Sequence, residues 1–199
     1  MKIIVVKPKD AAHNKGAEAA LLTAGRIVAY SKPDSALLRG GKPFFIPDGI
    51  GAIRYAGAVA VRVCRLGKSI PERFAHRYYD ALTVGIDFEA EGSVVGGDVI
   101  RTGFDGAAVI GEWTAKEAFV DVRALRVRVA INGIEAPGTL VGSLSPRIDE
   151  AIAYISRYMT IKTGDIFFMD TPGATGRVSI DDHVTGWIDD RKVLEFNCK

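Results

Sequence analysis

YISRYMTIKTGDIFFMDTPGATG, residues 154–176, is the most specific pattern in the chain. A predicted helix over 145–160 leads into it, beginning near SPRIDE, where Ser, Pro, Asp and Glu suit a first helical turn. The letters KTGD then indicate a turn, IFFM a short strand, and TPGATG a glycine-rich loop. Taken alone, such a loop is also typical of an ordinary surface turn between two strands.

Strand patterns dominate the rest of the sequence. Apolar residues recur with period two between residues 53 and 65, which predicts a strand with one buried face. RALRVRVAINGIEAP alternates apolar residues with arginines before an Asn-Gly pair, and this combination predicts a hairpin. MKIIVVK and LTVGIDF are short runs rich in β-branched residues and indicate two more strands.

Two further segments have helical character, and a third segment shows neither the helical nor the strand periodicity. Residues 10–24 are rich in Ala and Leu, which favours a helix. SIPERFAHRYYDAL offers Ser69 as an N-cap, with Pro71 and Glu72 in the first turn, and predicts another helix. Residues 89–102 are rich in Gly and indicate a loop or an irregular hairpin. The sequence therefore predicts an α+β chain, predominantly β, with about three helices.

Composition limits the classes of function. The chain has 199 residues, 48% of them hydrophobic, so one domain over 1–199 with one sizeable core is expected. Its 26 Lys+Arg against 24 Asp+Glu are dispersed, so no nucleic-acid partner is implied. No apolar run approaches the ~20 residues needed to cross a bilayer, and no secretion signal is present, so we expect no membrane partner and a cytoplasmic location.

Several stretches, in order, resemble the fumarylacetoacetate hydrolase family. They are KPDSALL (32–38), CRLGKSIPERFAHRYYDALTVGIDF (64–88), GFDGAAVIGEW (103–113) and SRYMTIKTGDIFFMDTPGATG (156–176). The last is similar to the stretch of that family in which a helix ends, a Lys-x-Gly-Asp turn follows, and a strand delivers a Thr-Pro-x-Gly-x-Gly loop to the active site. The resemblance covers nearly the whole chain.

The resemblance implies a fold and a chemistry. The expected fold is a mixed, rolled β-sandwich of the family's C-terminal-domain type, usually in a homodimer. The expected activity is that of a divalent-metal-dependent hydrolase, lyase or isomerase acting on small acylpyruvate- or oxaloacetate-like keto acids. In the family, Mg²⁺ or Mn²⁺ chelates the substrate, and a His–Glu pair activates water for carbon–carbon bond cleavage.

The metal ligands that the resemblance implies are only partly present. The family has two strand glutamates and a following aspartate, and in this register they fall on Ala56, Ala58 and Asp87. Neither alanine can bind a cation, and one carboxylate is a weak magnesium site. Glu89 lies two residues from Asp87, on the same strand face, and can join it as a substitute ligand.

A rival register remains open. DFEAEGSVVGG (87–97) also resembles the Asp-Tyr-Glu-x-Glu metal strand of the family, with Glu89 and Glu91 as ligands and Asp121 as a distant third carboxylate. Acidic residues in a solvated loop are the plainer interpretation. The candidate metal ligands are therefore Asp87, Glu89 and Glu91.

The catalytic pair and the lid are also altered. His13 matches the family's base, but Gly16 stands where its glutamate partner would be, and Glu18 is the nearest substitute. Thr102 stands at the position of the lid lysine, which steadies enolate charge in the family, and the adjacent Arg101 could contribute charge instead.

The remaining candidates concern the substrate. The resemblance implies that Thr171 helps to hold substrate during catalysis, and it adds four substrate-binding positions, namely Lys32, Asp105, Gly173 and Gly176. Asp170 replaces the usual glycine before Thr171, which places a negative charge where an anionic substrate should approach. These losses leave a second hypothesis open: a catalytically inactive member, without a cofactor, that keeps the fold as a binding or assembly subunit.

Overall fold

The computed structural model of the chain describes residues 1–7, 27–92 and 97–199. The predicted helix over 10–24, and with it His13, Gly16 and Glu18, lies outside the described residues. Within those ranges the α-helices are α1 Glu72–Ala75, α2 Gly97–Gly103 and α3 Ile148–Tyr158. None of the helices in this described part is long and apolar enough to span a membrane.

Thirteen strands account for most of the regular structure in the described ranges. They are β1 Ile3–Val6, β2 Ala29–Lys32, β3 Leu37–Arg39, β4 Ile53–Val63, β5 Tyr79–Ala90, β6 Ala108–Ile110, β7 Thr114–Ala115, β8 Arg126–Ile131, β9 Ile134–Glu135, β10 Thr139–Leu140, β11 Ile166–Val178, β12 His183–Ile188 and β13 Arg191–Asn197.

The strands form two sheets. The larger sheet has the order β2-β1-β11-β4-β5-β6-β3, with β7 added beside β5, and the smaller has the order β10-β8-β12-β13, with β9 beside β8. β1 runs parallel to β11 and β3 parallel to β6, whereas the other pairs are antiparallel. This curled, mixed, predominantly β architecture confirms the predicted fold class.

The long strands at the centre of the larger sheet contribute to two hydrophobic cores. Val59 and Val61 of β4 belong to a large core that also takes residues from the smaller sheet, such as Val129 and Val184. Ala58 and Ala60, which alternate with them, belong to a smaller core with Phe168 and the Ile3 and Val5 side chains of β1. Because successive side chains point to opposite faces, the period-two pattern of β4 serves both cores rather than one.

Two sequence predictions of local structure are confirmed. The hairpin of β8 and β9 turns at Asn132 and Gly133, whose φ angles of 51° and 79° match the positive values that this turn requires. The helix expected over 145–160 is α3, which places Ile148, Ile152 and Ile155 in the large core.

Two other predictions are wrong. The helix expected over 69–82 is limited to the short α1, because β5 already begins at Tyr79 and pairs there with Val63 of β4. The loop or irregular hairpin expected over 89–102 is wrong for most of the segment: β5 continues to Ala90, and a helix, α2, begins after the undescribed residues 93–96. In the first case sheet pairing outweighs a weak local helix preference.

TPGATG belongs to β11, where the strand departs from regular pairing. Asp170 pairs with Ala58 and Thr175 with Ala56, so the four residues 171–174 lie opposite Gly57 alone. Such an irregularity bends a strand and re-aims its side chains. We call residues 171–174 the Thr171 arch. The glycine-rich segment predicted as a loop is therefore an arch within a strand.

Candidate functional site

A cluster of ionised and hydroxyl side chains lies beside the smaller core, where strands β1, β2, β5 and β11 come together. We call it the Lys7 cluster, and its members are Lys7, Tyr30, Lys32, Asp87, Glu89, Arg101 and Asp170. The strand pairing explains the convergence. Val6 pairs with Met169, so Lys7 and Asp170, the next residues along these parallel strands, come together.

Lys7 occupies the centre of the cluster. Its Nζ lies 3.1 Å from Oδ2 of Asp87, 2.6 Å from Oε1 of Glu89 and 2.8 Å from Oδ2 of Asp170. An ammonium group has three donor hydrogens, and here three carboxyl groups surround it. Contacts of this length between ionised partners are charge-assisted hydrogen bonds, which are stronger than neutral ones.

Tyr30 and Lys32 add contacts from β2. The Tyr30 hydroxyl lies 2.5 Å from Oδ2 of Asp87 and 2.7 Å from Oε1 of Glu89, so it links the two carboxyl groups. Lys32 Nζ lies 2.6 Å from Oδ1 of Asp87 and donates to the backbone carbonyls of Phe88 and Ala107. Lys32, predicted to bind substrate, thus has its fully buried ammonium group held by these partners.

Arg101 of α2 is the third cation among the described members of the cluster. Its Nη1 donates to Oε2 of Glu89 over 2.8 Å, and its Nε also lies 3.0 Å from Oδ1 of the exposed Asp98. Lys7, Lys32 and Arg101 therefore bring three positive charges to three carboxyl groups. The contact with Glu89 commits the Arg101 guanidinium to that carboxyl group, so its expected role beside an enolate stays a prediction, and the adjacent Thr102 donates its hydroxyl to the carbonyl of Asp98 within α2.

Burial and charge compete in setting the pKa values of the cluster. Burial alone would lower the pKa of Lys7, but the three carboxylates outweigh it and raise this pKa above its ordinary value. Burial opposes ionisation of Glu89, yet the charge and hydrogen bond of Lys7 lower the pKa of Glu89 to about 2. Burial raises the pKa of Asp170 to about 7 despite Lys7, with the charge of Asp87 adding to the effect. Burial, followed by the charges of Asp87 and Glu89, raises the pKa of Tyr30 well above its ordinary value.

The cluster includes the positions at which the resemblance places the metal. Ala56 pairs with Asp87 and Ala58 with Asp170, and directly opposed residues on neighbouring strands share a face of the sheet. Two methyl groups therefore stand where the family has two glutamates. In the described residues no group of three or more His, Cys, Asp or Glu has the arrangement of a metal site.

The donor set of the cluster does not fit a divalent ion. Asp87, Glu89 and Asp170 supply carboxylate oxygens, but Lys7 lies between them and already occupies the position that a cation would take. A magnesium ion also requires nearly octahedral oxygen coordination, which the methyl groups of Ala56 and Ala58 cannot supply.

Three other acidic candidates have different surroundings. Glu91 contacts Arg54 and Arg177, with Oε2 2.7 Å from Nη2 of Arg177. Asp121, the third carboxylate of the rival register, caps a short turn by accepting from the Arg123 amide. Asp105 is exposed in the turn between α2 and β6. The structure thus brings Asp87 and Glu89 together at Lys7, and gives Glu91 other partners.

The Thr171 arch lies next to the cluster along β11. The Thr171 hydroxyl is buried and donates to the carbonyl oxygen of Gly57 over 2.8 Å. Gly173 has a φ of 82°, which favours glycine. Gly176 lies against the ring of Tyr55, where an added Cβ would be 2.9 Å from Cε1. Described contacts thus account for Thr171 and the two glycines through packing and backbone geometry.

Sequence reasoning missed Lys7 and Tyr30. Their partners Asp87 and Asp170 are 80 or more residues away from Lys7, and no local spacing reveals such contacts. One signal was available: Ile3, Val5 and Lys7 alternate, so a lysine follows two buried residues on the same strand face. A lysine in such a position is rarely buried without an acidic partner.

Comparisons with known proteins agree on one family. The family model "Fumarylacetoacetate (FAA) hydrolase C-terminal" matches residues 3–199. An uncharacterized protein of Pyrococcus horikoshii, PH0643, is 27% identical over 85% of this chain and 76% of its own length. The mitochondrial oxaloacetate tautomerase FAHD1 of Rattus norvegicus is 25% identical, over 85% of this chain and 79% of its own.

A solved structure shows the same fold. The fumarylpyruvate hydrolase of Pseudomonas aeruginosa, in complex with Mn²⁺ and pyruvate, superposes with a TM-score of 0.85. The superposition covers 100% of this chain and 89% of that one, at 21% sequence identity. At this identity the likeness establishes the fold.

Proposed function

Because this chain belongs to the fumarylacetoacetate hydrolase family, we propose that it acts on a small acylpyruvate- or oxaloacetate-like keto acid at the Lys7 cluster. The reaction we assign is keto–enol tautomerisation. A proton leaves the carbon beside the keto group and one is added to the keto oxygen, and no carbon–carbon bond breaks. The rat relative, an oxaloacetate tautomerase, supports this substrate class.

The convergence of Lys7 and Asp170 is the observation that supports the proposal. Tautomerisation needs a positive group near the developing enolate oxygen and a group that exchanges protons near neutral pH. The Lys7 ammonium, with 23% of the side chain exposed, supplies the first. Asp170, whose pKa is raised to about 7, supplies the second: it takes the carbon proton and returns it to the oxygen.

The same geometry argues against hydrolysis as the main reaction. Carbon–carbon cleavage in the family, as implied by the resemblance, uses a divalent ion and a His–Glu pair. Ala56 and Ala58 supply no ligand to such an ion, and in the sequence Gly16 stands where the resemblance expects the glutamate partner of His13, with Glu18 as the nearest substitute. Magnesium or manganese therefore has no step in the reaction that we assign to this chain.

Ketonisation of oxaloacetate tests the proposal directly. Freshly dissolved enol oxaloacetate is mixed with the full chain in a metal chelator, and the loss of enol absorbance is followed against buffer alone. We expect faster ketonisation that the chelator leaves unchanged. Replacement D170N should reduce the acceleration by roughly 10²-fold or more, the usual range for a lost general acid or base.

D165N provides the matched control. Asp165 is also buried beside a lysine, because its Oδ2 lies 2.6 Å from Nζ of Lys2, but the pair lies beyond the opposite end of β1. Its replacement should leave the ketonisation rate near that of the unchanged protein. Absence of any acceleration over buffer, with the protein folded, would reject the tautomerase assignment.

A second candidate is a catalytically inactive member that serves as a binding or assembly subunit, with the homodimer that the resemblance implies. The specific observation in its favour is that the hydrogen-bond donors of Lys7 are matched by cluster carboxyl groups. Its signature would be stabilisation by oxaloacetate or pyruvate in a thermal melt without any acceleration of ketonisation. Acceleration that is lost in D170N would rule it out.

A further inference from the structure

Lys7 is the cation that holds three carboxyl groups of the cluster together. Its Nζ is within 3.1 Å of an oxygen from each of Asp87, Glu89 and Asp170. We infer that the Lys7 ammonium is a built-in cation that takes the place of a divalent metal ion in this chain. The inference concerns cation binding alone and does not depend on turnover of a keto acid.

The backbone gives Lys7 little freedom to lie elsewhere. Four consecutive residue pairs, from Ile3 with Ile166 to Val6 with Met169, fix β1 beside β11. The Lys7 amide donates to the carbonyl of Val28 over 3.0 Å, which holds the residue just beyond the strand. The register between β1 and β11 therefore places the Lys7 ammonium beside the carboxyl groups.

The neighbouring strand leaves room for the lysine. Ala56 and Ala58 are opposite Asp87 and Asp170, and their methyl groups are the smallest side chains that a strand can present apart from glycine. Glutamates at these two positions would add two more carboxyl groups to a cluster whose described members already include three carboxyl groups around Lys7, Lys32 and Arg101. The alanines and Lys7 thus form one consistent arrangement.

One acceptor remains available in this arrangement. Oδ1 of Asp170 is buried and accepts no hydrogen bond in the described part of the chain. Loss of the Lys7 charge would leave the Asp87, Glu89 and Asp170 carboxyl groups facing one another, with Lys32 and Arg101 as the cations that remain among the described members of the cluster. Like charges at this separation repel strongly, and a divalent ion would relieve the repulsion.

Manganese binding distinguishes the unchanged chain from a Lys7 variant. Chelator-treated protein is titrated with Mn²⁺, and free Mn²⁺ is followed by its electron paramagnetic resonance signal. We expect the unchanged chain to leave the signal near that of buffer. K7Q should bind Mn²⁺ at least tenfold more tightly, and its melting temperature should rise with Mn²⁺, since a ligand selective for the folded state stabilises it.

Three further variants locate the effect. K7R keeps a positive charge and should resemble the unchanged chain. K2Q removes a lysine from a different buried carboxylate, Asp165, and should also resemble it. D87N introduced into K7Q should abolish the gained affinity, because it removes one of the carboxylates that Lys7 contacts.

Each outcome decides the inference. Tight Mn²⁺ binding by the unchanged chain, or equal affinities for it and K7Q, overturns it. So does a folded K7Q that gains no affinity. If K7Q does not fold in chelator, refolding with Mn²⁺ replaces the titration: recovery of folded protein supports the inference, and failure to recover overturns it.

Discussion

Thr171, which the resemblance expects to contact substrate, makes a hydrogen bond to the backbone of β4. Its hydroxyl donates to the buried carbonyl oxygen of Gly57, at the start of the Thr171 arch. In T171V the side chain keeps its shape but this oxygen loses its donor. We expect a loss of about 1–3 kcal/mol in the free energy of unfolding, measured with denaturant, because an unpaired buried acceptor is costly.

T171S is the matched control, because it keeps the hydroxyl and removes only a methyl group. It should retain most of the stability that T171V loses. Equal stability of the two variants would mean that the hydrogen bond to Gly57 contributes little, and that the role of Thr171 must be found in ligand binding.

Glu89 makes the free energy of unfolding depend on pH in the acidic range. Its pKa in the folded chain is lowered from 4.5 to about 2, chiefly by Lys7 acting against burial. The unfolded chain therefore binds the proton more readily, so the stabilisation is present above pH 4.5 and is lost as the pH falls to about 2. The loss should not exceed about 3 kcal/mol.

Denaturant unfolding at several pH values between 4.5 and 2 measures this effect. E89Q should show a smaller decrease over the window, because the amide does not titrate. E117Q, at an exposed glutamate, should follow the unchanged chain. An E89Q profile as steep as that of the unchanged chain would show that other carboxyl groups cause the acid dependence.

At the scale of elements, the sequence predicts best where the local pattern and the tertiary environment agree. β4 alternates, the Asn132 turn has hairpin chemistry, and α3 has an apolar face, so each was predicted. The helix prediction for 69–82 is wrong because the end of this segment pairs with β4 as part of β5. Such pairing joins residues that are far apart in sequence, and a local window does not contain it.

Gly111 is the element-scale position that we expect to tolerate change least. Its amide donates to Val84 of β5, and a Cβ added to it would be 2.3 Å from the carbonyl oxygen of Val193 in β13. The chain between β6 and β7 thus passes directly against the smaller sheet. G111A should cost about 3 kcal/mol or more in unfolding free energy, because backbone would have to shift.

The neighbouring E112A provides the comparison. The Glu112 amide donates to the same Val193 carbonyl oxygen that lies close to Gly111, over 2.7 Å, and E112A leaves this hydrogen bond intact. Its exposed side chain should be removable with little change in stability. A melting temperature of G111A close to that of E112A would contradict the close approach of the two sheets.

For the molecule as a whole, the two sheets share one large core. Val84 of β5, Val184 of β12 and Leu194 of β13 belong to that core, and a Cβ on Gly186 of β12 would be 2.8 Å from Cγ1 of Val84. Neither sheet can separate without exposing these residues. We therefore expect the described sheets to unfold together, as the predicted single domain would.

The two tryptophans allow this to be measured. Trp187 is in β12 of the smaller sheet, and Trp113 immediately precedes β7 of the larger. In W113F the fluorescence reports on the smaller sheet, and in W187F on the larger. For each variant, unfolding is also followed by circular dichroism, which reports on the whole chain. The fluorescence midpoint of each variant should coincide with its own circular dichroism midpoint. A fluorescence transition displaced from the circular dichroism curve would indicate sheets that unfold separately.

The Lys7 cluster marks the limit of what sequence alone could predict about the site. The family resemblance identifies Asp87 as a candidate ligand, and the spacing of two residues on one strand adds Glu89. The lysine between them comes from a strand 80 residues earlier, and Asp170 from one 83 residues later. Their meeting depends on strand order, with β1 and β11 adjacent, which composition and periodicity do not encode.

The Thr171 arch also bears on how such a protein can diversify. Thr171 and Ala174 are buried, Pro172 and Gly173 are exposed, and pairing resumes at Thr175. Residues exchanged at Pro172 or inserted beside it would leave the strand ladder on both sides in register, whereas the φ of 82° at Gly173 favours glycine there. During evolution, the sequence beside the cluster can therefore change by single mutations while the chain still folds.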